Sequence, residues 1–353
     1  MKLIPMALAA SVIVACSQGE TPQPKSAAFV AEALPPHLQF RVDEQIGALV
    51  PASADAARDI INNLKQWPPT LNSLRVCFFG GSVVLRQHIV AVASRWVKNP
   101  VGISFDFGSA SGRLCDSHEQ NHVRVGFRYA GFWSLVGQDG VALANQNEES
   151  LNLQYFDAAP PADPEFTRKV LHEFGHALGF EHEHQHPFSE CEQEFDWPAI
   201  YTYLAAPPNR WPQDEVDRQM RRLSSDHLTI APFNVHSIML YSFPSQFYKH
   251  GIKSPCYAVG NDDLSPGDLS LLAQVYPVAP QQVAQQRKDL AEKYVAILNT
   301  ATTDLSLQLK AYAELQKLTE GALPEQAIVS YSLASKDANL DLPAELKQVK
   351  PIT

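Results

Sequence analysis

The sequence predicts an α+β domain built around one long, chemistry-bearing helix, and three observations carry that prediction. Apolar runs of strand length at 74–79, 101–107, 122–128 and 150–156 are interrupted by an amphipathic helical stretch at 83–97. A second helical period, Val170, Leu171, Phe174 and Leu178, starts at Asp163-Pro164 and stops at Gly179. After Pro187 the chain becomes loop-rich, with Trp197, Trp211 and several prolines, and closes with a short helix near Pro266 to Tyr276.

Strands and one long helix in this order imply a twisted, mixed sheet ahead of the second helix. Asp163 is the expected cap of that helix, with Pro164 in its first turn. Ser53 caps a further expected helix over 54–67. Upstream, residues 17 to about 52 are rich in Pro, Gln, Ser and Ala, the composition of a tether with little core of its own. Beyond Pro280 there is no His, Trp, Phe or Cys, and Val283, Leu290, Tyr294 and Ile297, then Leu305, Leu309 and Tyr312, follow helical periods. The expected divisions are therefore 1–16 signal, 17–60 linker, 61–279 catalytic-type domain and 280–353 helical extension.

The amino terminus is an export signal. A single positive charge at Lys2 precedes an apolar stretch from Leu3 to Ala15, shorter than the roughly 20 residues a membrane-spanning helix needs. The ending Ile13-Val14-Ala15-Cys16 resembles the lipobox of bacterial lipoproteins, which implies a lipid on Cys16 and attachment to a bacterial envelope membrane. A plain secretory signal that happens to contain a cysteine would export the chain equally. Setting Cys16 aside leaves Cys77, Cys115, Cys191 and Cys256, an even set suited to an oxidising compartment. Three pairings are open. Cys77 with Cys115 and Cys191 with Cys256 is favoured, since each pair would staple one side of the expected cleft, and four unpaired buried thiols are the alternative. The net charge of −10, with no clustered Lys and Arg, argues against a nucleic-acid partner. Oligomeric state is not legible.

The chemistry concentrates in the second helix. His172 and His176 are four apart, so both imidazoles leave the same helical face and can share one ion. Glu173 lies one position round, close enough to serve as a base without ligating. Gly179 can adopt the left-handed conformation that turns the chain back, delivering His182 as a third nitrogen ligand. Three neutral imidazoles with an open fourth position describe a catalytic zinc site, whereas a structural site is closed by four protein ligands. Zinc lowers the pKa of a water it binds to about 7 and polarises a carbonyl, and Glu173 can then move the proton to a leaving amine.

The run from His172 through Glu173, His176, Gly179 and His182 matches H-E-x-x-H-x-x-G-x-x-H and resembles the metzincin metallopeptidases. Glu183 extends the resemblance toward the astacin-like branch, and Ser237-Ile238-Met239-Leu240-Tyr241 is similar to its Met-turn. The resemblance implies a metzincin-like α+β fold, with an irregular lower part below a horizontal cleft. It also implies Met239 beneath the metal and Tyr241 as a fifth ligand or transition-state hydrogen-bond donor. Segments 131–137, 151–153 and 264–276 resemble the strands and closing helix around that site, so the likeness spans about residues 65 to 277.

The expected activity is zinc-dependent cleavage of a peptide or protein substrate, lying extended along an edge strand at 151–156. Two alternatives from other classes are a catalytically silent zinc- or peptide-binding envelope module, for which Glu173 would be superfluous, and a zinc hydrolase of a cell-wall amide. His184 and His186 are expected on the cleft wall or surface, and Asp157, Asp262, Asp263 and Asp268 in surface caps and turns. No cysteine-switch segment and no aspartate switch is apparent, so latency is not expected.

Overall fold

A computed structural model of the chain describes residue 29, residues 31–47, 65–116, 118–223 and 231–279, and short helical stretches within 288–298 and 311–315. The signal segment, Cys16 and residues 54–64 of the helix expected over 54–67 lie outside the described residues.

The mixed sheet forms from β1 (Leu74–Phe78), β2 (Phe105–Asp106), β3 (Arg113–Leu114), β4 (Val123–Gly126), β5 (Phe132–Ser134) and β6 (Leu151–Leu153). Its order is β2-β1-β4-β6-β5, with β3 also on β1; every pairing is parallel except β5 with β6. This order corrects the substrate-edge expectation. Residues 151–153 sit between β4 and β5, so the terminal strand is β5, whose register sets Phe132 opposite Leu153 and Ser134 opposite Leu151. Strand order depends on which loops cross the sheet, and the apolar runs alone carry no trace of it.

Two helices cover the sheet, α2 (Val83–Ala93) and α3 (Glu165–Ala177). Ser82 caps α2 by accepting from the Leu85 amide. At α3 the helix begins at Glu165, one residue later than Asp163 as cap would place it, and the Asp163 carboxylate still accepts from Thr167 N at 3.2 Å and Thr167 Oγ1 at 2.6 Å. Val170, Leu171, Phe174 and Leu178 are all buried in one core with Trp96, Val76, Phe78, Ile89 and Met239. Fully burying one such side chain stabilises by about 1.5–3 kcal/mol, so this face fixes the position of α3 on the sheet. Trp96 Nε1 donates to Leu171 O, Trp67 Nε1 to Ala177 O and Tyr276 Oη to Leu178 O, satisfying carbonyls along the carboxyl half of α3.

Below the sheet lie α4 (Trp197–Ala205), α5 (Gln213–Met220) and irregular chain around an aromatic cluster that includes Phe195, Phe243 and Phe247. The closing helix α6 (Pro266–Val275) starts at a capping box in which Ser265 and Asp268 bond reciprocally. Asp268 is not a surface residue: it is buried and also accepts from Ser237 Oγ and Ile238 N. Cys77–Cys115 and Cys191–Cys256 are disulfides, closing separations of 38 and 65 residues.

The amino-terminal segment carries more structure than a tether. Residues 36–47 form α1 (Pro36–Gly47), whose Leu38 is buried against Trp133, Leu135 and Ala144 beside β5. Arg41 fixes it further, donating to Leu143 O at 2.6 Å and pairing with Glu148 at 2.7 Å. In the carboxyl extension, Leu290, Tyr294, Ile297 and Tyr312 are buried as their helical spacing implies; Val283, Leu305 and Leu309 fall outside the described residues. Among the described residues no helix is long and apolar enough to cross a membrane.

Candidate metal centre

Three imidazoles converge where α3 ends. Gly179 has φ +100°, its N–H bonds to His176 O and the Phe180 N–H to Gly175 O, the paired bonds of a glycine-terminated helix. The reversal brings His182 back over the helix: ring centroids of His172, His176 and His182 are 4.9, 5.3 and 4.5 Å apart. His172 Nδ1 lies 2.8 Å from Ile238 O and His176 Nδ1 lies 2.7 Å from Phe180 O. A carbonyl can only accept, so both Nδ1 atoms carry a proton and each ring turns its Nε2 into the site.

The donor set fits zinc on observations of the chain itself. Nε2 of His172 is buried without a hydrogen-bond partner, as is Oε2 of Glu173. Nε2 of His176 and Nε2 of His182 are 3.1 Å apart; two zinc–nitrogen bonds of about 2.0–2.1 Å at a tetrahedral angle separate their nitrogens by about 3.3 Å. Glu173 is buried, and burial followed by the nearby Glu32 charge pushes its carboxyl well above the ordinary range.

Beneath the cluster, Met239 is buried and its sulfur leaves no room at Gly175, where a Cβ would fall 2.4 Å from Sδ and 3.0 Å from Trp96 Cζ2. The glycine between the two helical histidines is thus a steric requirement of the methionine. Tyr241 stands at the rim, its ring 4.6 Å from that of His182 and 5.5 Å from that of His172. His184 and His186 stand outside the donor cluster. His184 is buried with Nε2 2.8 Å from Gln219 O, and His186 Nε2 is 2.7 Å from Ala231 O. Glu183 accepts from Asn234 N at 2.6 Å, and burial raises its pKa to about 7.

One group at the centre has no counterpart in the motif. Although the sequence shows no switch segment, the structure sets the Glu32 carboxylate among the three imidazoles. Its Oε2 accepts from Tyr241 Oη at 2.5 Å and lies 3.2 Å from His182 Nε2 and 3.5 Å from His172 Nε2, while Oε1 is 3.7 Å from His176 Nε2. One donor atom from each of Glu32, His172, His176 and His182 falls within a 4.8 Å cluster. Burial pushes the Glu32 carboxyl up, but the electrostatic attraction of His176 and the imidazoles of His172 and His182 beside it override burial and hold the group well below the usual carboxylate range. The signal available in the sequence is slight: Glu32 is the single charged residue between Lys25 and His37, within Ser26-Ala-Ala-Phe29-Val-Ala31-Glu32-Ala-Leu34.

Residue 29 and residues 31–34 form a strap through the cleft. On one side of it a cavity of about 460 Å³ is lined by Phe132, Lys169, His172, Glu173 and Tyr241. On the other a smaller one of about 160 Å³ is lined by Leu135, Lys65, His176, Glu181 and Gln185. Sequence reasoning also missed Asn209 and Tyr203, which hold the strap by its backbone.

No family model and no curated protein matches the sequence. Solved structures do. Myroilysin is 32% identical, with a TM-score of 0.52 over 61% of this chain and 97% of its own. A second structure of myroilysin gives 32% identity and a TM-score of 0.42 over 60% and 86%. High choriolytic enzyme 1, a hatching-enzyme zinc-protease of the medaka fish Oryzias latipes, gives 16% and 0.37 over 59% and 91%. The 32% identity runs along nearly the whole of myroilysin, and the chain itself gathers four candidate donors for one metal ion. The chain belongs to the astacin-like branch of the metzincin zinc metallopeptidases.

Proposed function

We propose that this chain is a latent zinc endopeptidase in which His172, His176 and His182 hold the ion, Glu173 is the general base and Glu32 blocks the fourth position until the strap leaves. The observation that carries the reading is the convergence of three Nε2 atoms, two of them oriented by backbone carbonyls, beside a buried carboxyl that ligates nothing. When bound, zinc supplies a Lewis acid that polarises the scissile carbonyl and acidifies water. Glu173 takes up the proton and returns it to the leaving amine, a role that a carboxyl with a raised pKa suits. Tyr241, once released by Glu32, offers its phenol to the oxygen of the carbonyl under attack. The substrate is a peptide or protein, and the strap, which already lies extended in the cleft, marks where such a chain fits.

Glu32 is a removable ligand on this reading. It belongs to a short segment outside the region that resembles the family, attached through side-chain hydrogen bonds and the packing of Phe29, Ala31 and Ala33 rather than through a strand of the sheet. We further assign residues 1–16 as an export signal ending at a lipidated Cys16, 61–279 as the peptidase domain and 280–353 as a helical extension. Two disulfides support passage to an oxidising compartment.

The deciding experiment compares Glu32→Ala with Glu32→Ala/Glu173→Gln on a peptide mixture, with zinc content measured in both. Loss of cleavage with zinc retained supports the assignment. Equal cleavage by the two removes Glu173 from the mechanism.

A further inference from the structure

The grip on the strap has a form that a plug alone does not need. Phe29 N donates to Tyr203 Oη at 2.8 Å. Asn209 spans two residues: its Oδ1 accepts from Ala31 N at 2.8 Å and its Nδ2 donates to Phe29 O at 3.1 Å. These are contacts to main-chain atoms only, so they would hold any extended peptide in this register whatever its side chains. Asn209 is followed by Arg210 at φ +55°, a conformation that is costly for a non-glycine residue and is kept where the fold over-determines it.

The side-chain contacts are selective. The Phe29 ring sits edge-on to three others, with centroids 5.5 Å from Phe243, 5.9 Å from Phe247 and 6.1 Å from Tyr241. Ala31 is buried in the same lower cluster, and Ala33 packs against it. Positions 29, 31 and 33 therefore face the lower wall with the period of two of an extended chain, while Glu32 turns to the histidines. The arrangement is that of a peptide bound in a cleft, with one residue at the metal and a large aromatic three positions away.

We propose that Asn209, Tyr203 and the Phe243–Phe247–Tyr241 cage form the substrate-recognition subsite of the enzyme, vacated when the strap leaves. It takes an extended polypeptide with an aromatic or large aliphatic side chain about three residues from the residue at the metal, and a small one between them where Ala31 now lies. Asn209 and Tyr203 set the register by the backbone; the cage sets the preference. The inference rests on the strap being displaceable, as the proposed function requires.

The test uses the full-length chain carrying Phe29→Ala and Glu32→Ala, which empties both the cage and the metal position. A peptide of sequence SAAFVAEAL should bind this variant at least tenfold more tightly than SAAAVAEAL, measured by calorimetry. Adding Asn209→Ala should weaken the first peptide about tenfold, and adding Tyr203→Phe should weaken it by a smaller factor. Equal affinity of the two peptides, no binding of either, or indifference to Asn209→Ala overturns the subsite. A digest of a proteome-derived peptide mixture by the double variant should show Phe, Tyr, Trp or Leu enriched at least fivefold at one position within four residues of the cut. A flat profile there also overturns it. Zinc-loaded protein that binds SAAFVAEAL selectively yet cleaves nothing would retain the subsite and discard the peptidase reading, so the two failures are distinct.

Discussion

Replacing Glu32 by alanine should switch the full-length protein on. The carboxylate accepts from Tyr241 at 2.5 Å and lies 3.2 Å from His182 Nε2, in a site where it is largely screened from water. Hydrogen bonds to a charged group contribute about 1.5–3 kcal/mol each. Taking the lower figure for both gives about 3 kcal/mol removed from the closed state. At about 1.4 kcal/mol per decade, the population with an open metal position rises roughly 10²-fold. The kcat/KM of Glu32→Ala on a quenched fluorescent peptide should rise by that factor over wild type at equal zinc content. Hydrogen exchange supplies a readout free of catalysis, because the Ala31 amide, now bonded to Asn209, should exchange faster as the strap opens more often. Glu32→Gln keeps the shape and loses the charge, so it should fall between the two. Unchanged activity together with unchanged exchange at Ala31 would refute the reasoning.

In the Glu32→Ala background Glu173→Gln should lower kcat by about 10²–10⁴ with zinc still bound, as metal analysis of the purified variant would establish. Tyr241→Phe removes the donor to Glu32 as well as the phenol, so it should quicken strap exchange while lowering kcat in the Glu32→Ala background. Gly175→Ala forces Met239 or Trp96 to move and should cost about 1–3 kcal/mol, visible as a drop of several degrees in Tm. Replacing both Cys191 and Cys256 by alanine opens a 65-residue loop and should destabilise by about 4 kcal/mol, read by denaturant unfolding.

What could be seen in the sequence follows how local each feature is. His172, His176, Gly179 and His182 lie within eleven residues, and helix geometry plus one glycine turn determines where their rings go. Met239 is distant in sequence, yet its pattern is short and the reason for Gly175 becomes visible once the two meet. Glu32 is different: it stands 150 positions from His182, and its arrival depends on α1 docking beside β5 through Leu38 and Arg41. An isolated glutamate in an alanine-rich stretch announces none of that. The terminal strand was misplaced for the same reason, since neighbour order in a sheet is a property of the crossings between strands. Asn209 carries no periodic or motif signature, because a loop amide gains meaning only from the backbone it meets.

The docking of α1 bears on the release of Glu32 that the proposed function requires. Pro36 follows Glu32 by four residues, and the helix it opens is clamped to the body of the protein by Leu38 and Arg41. A leash that short keeps a dislodged carboxylate at an effective concentration of roughly millimolar or more, so spontaneous opening reverses at once and at any dilution. Proteolysis upstream of Phe29 would leave the leash intact. Scission between Glu32 and Pro36 would instead detach the stopper from its anchor and make release permanent.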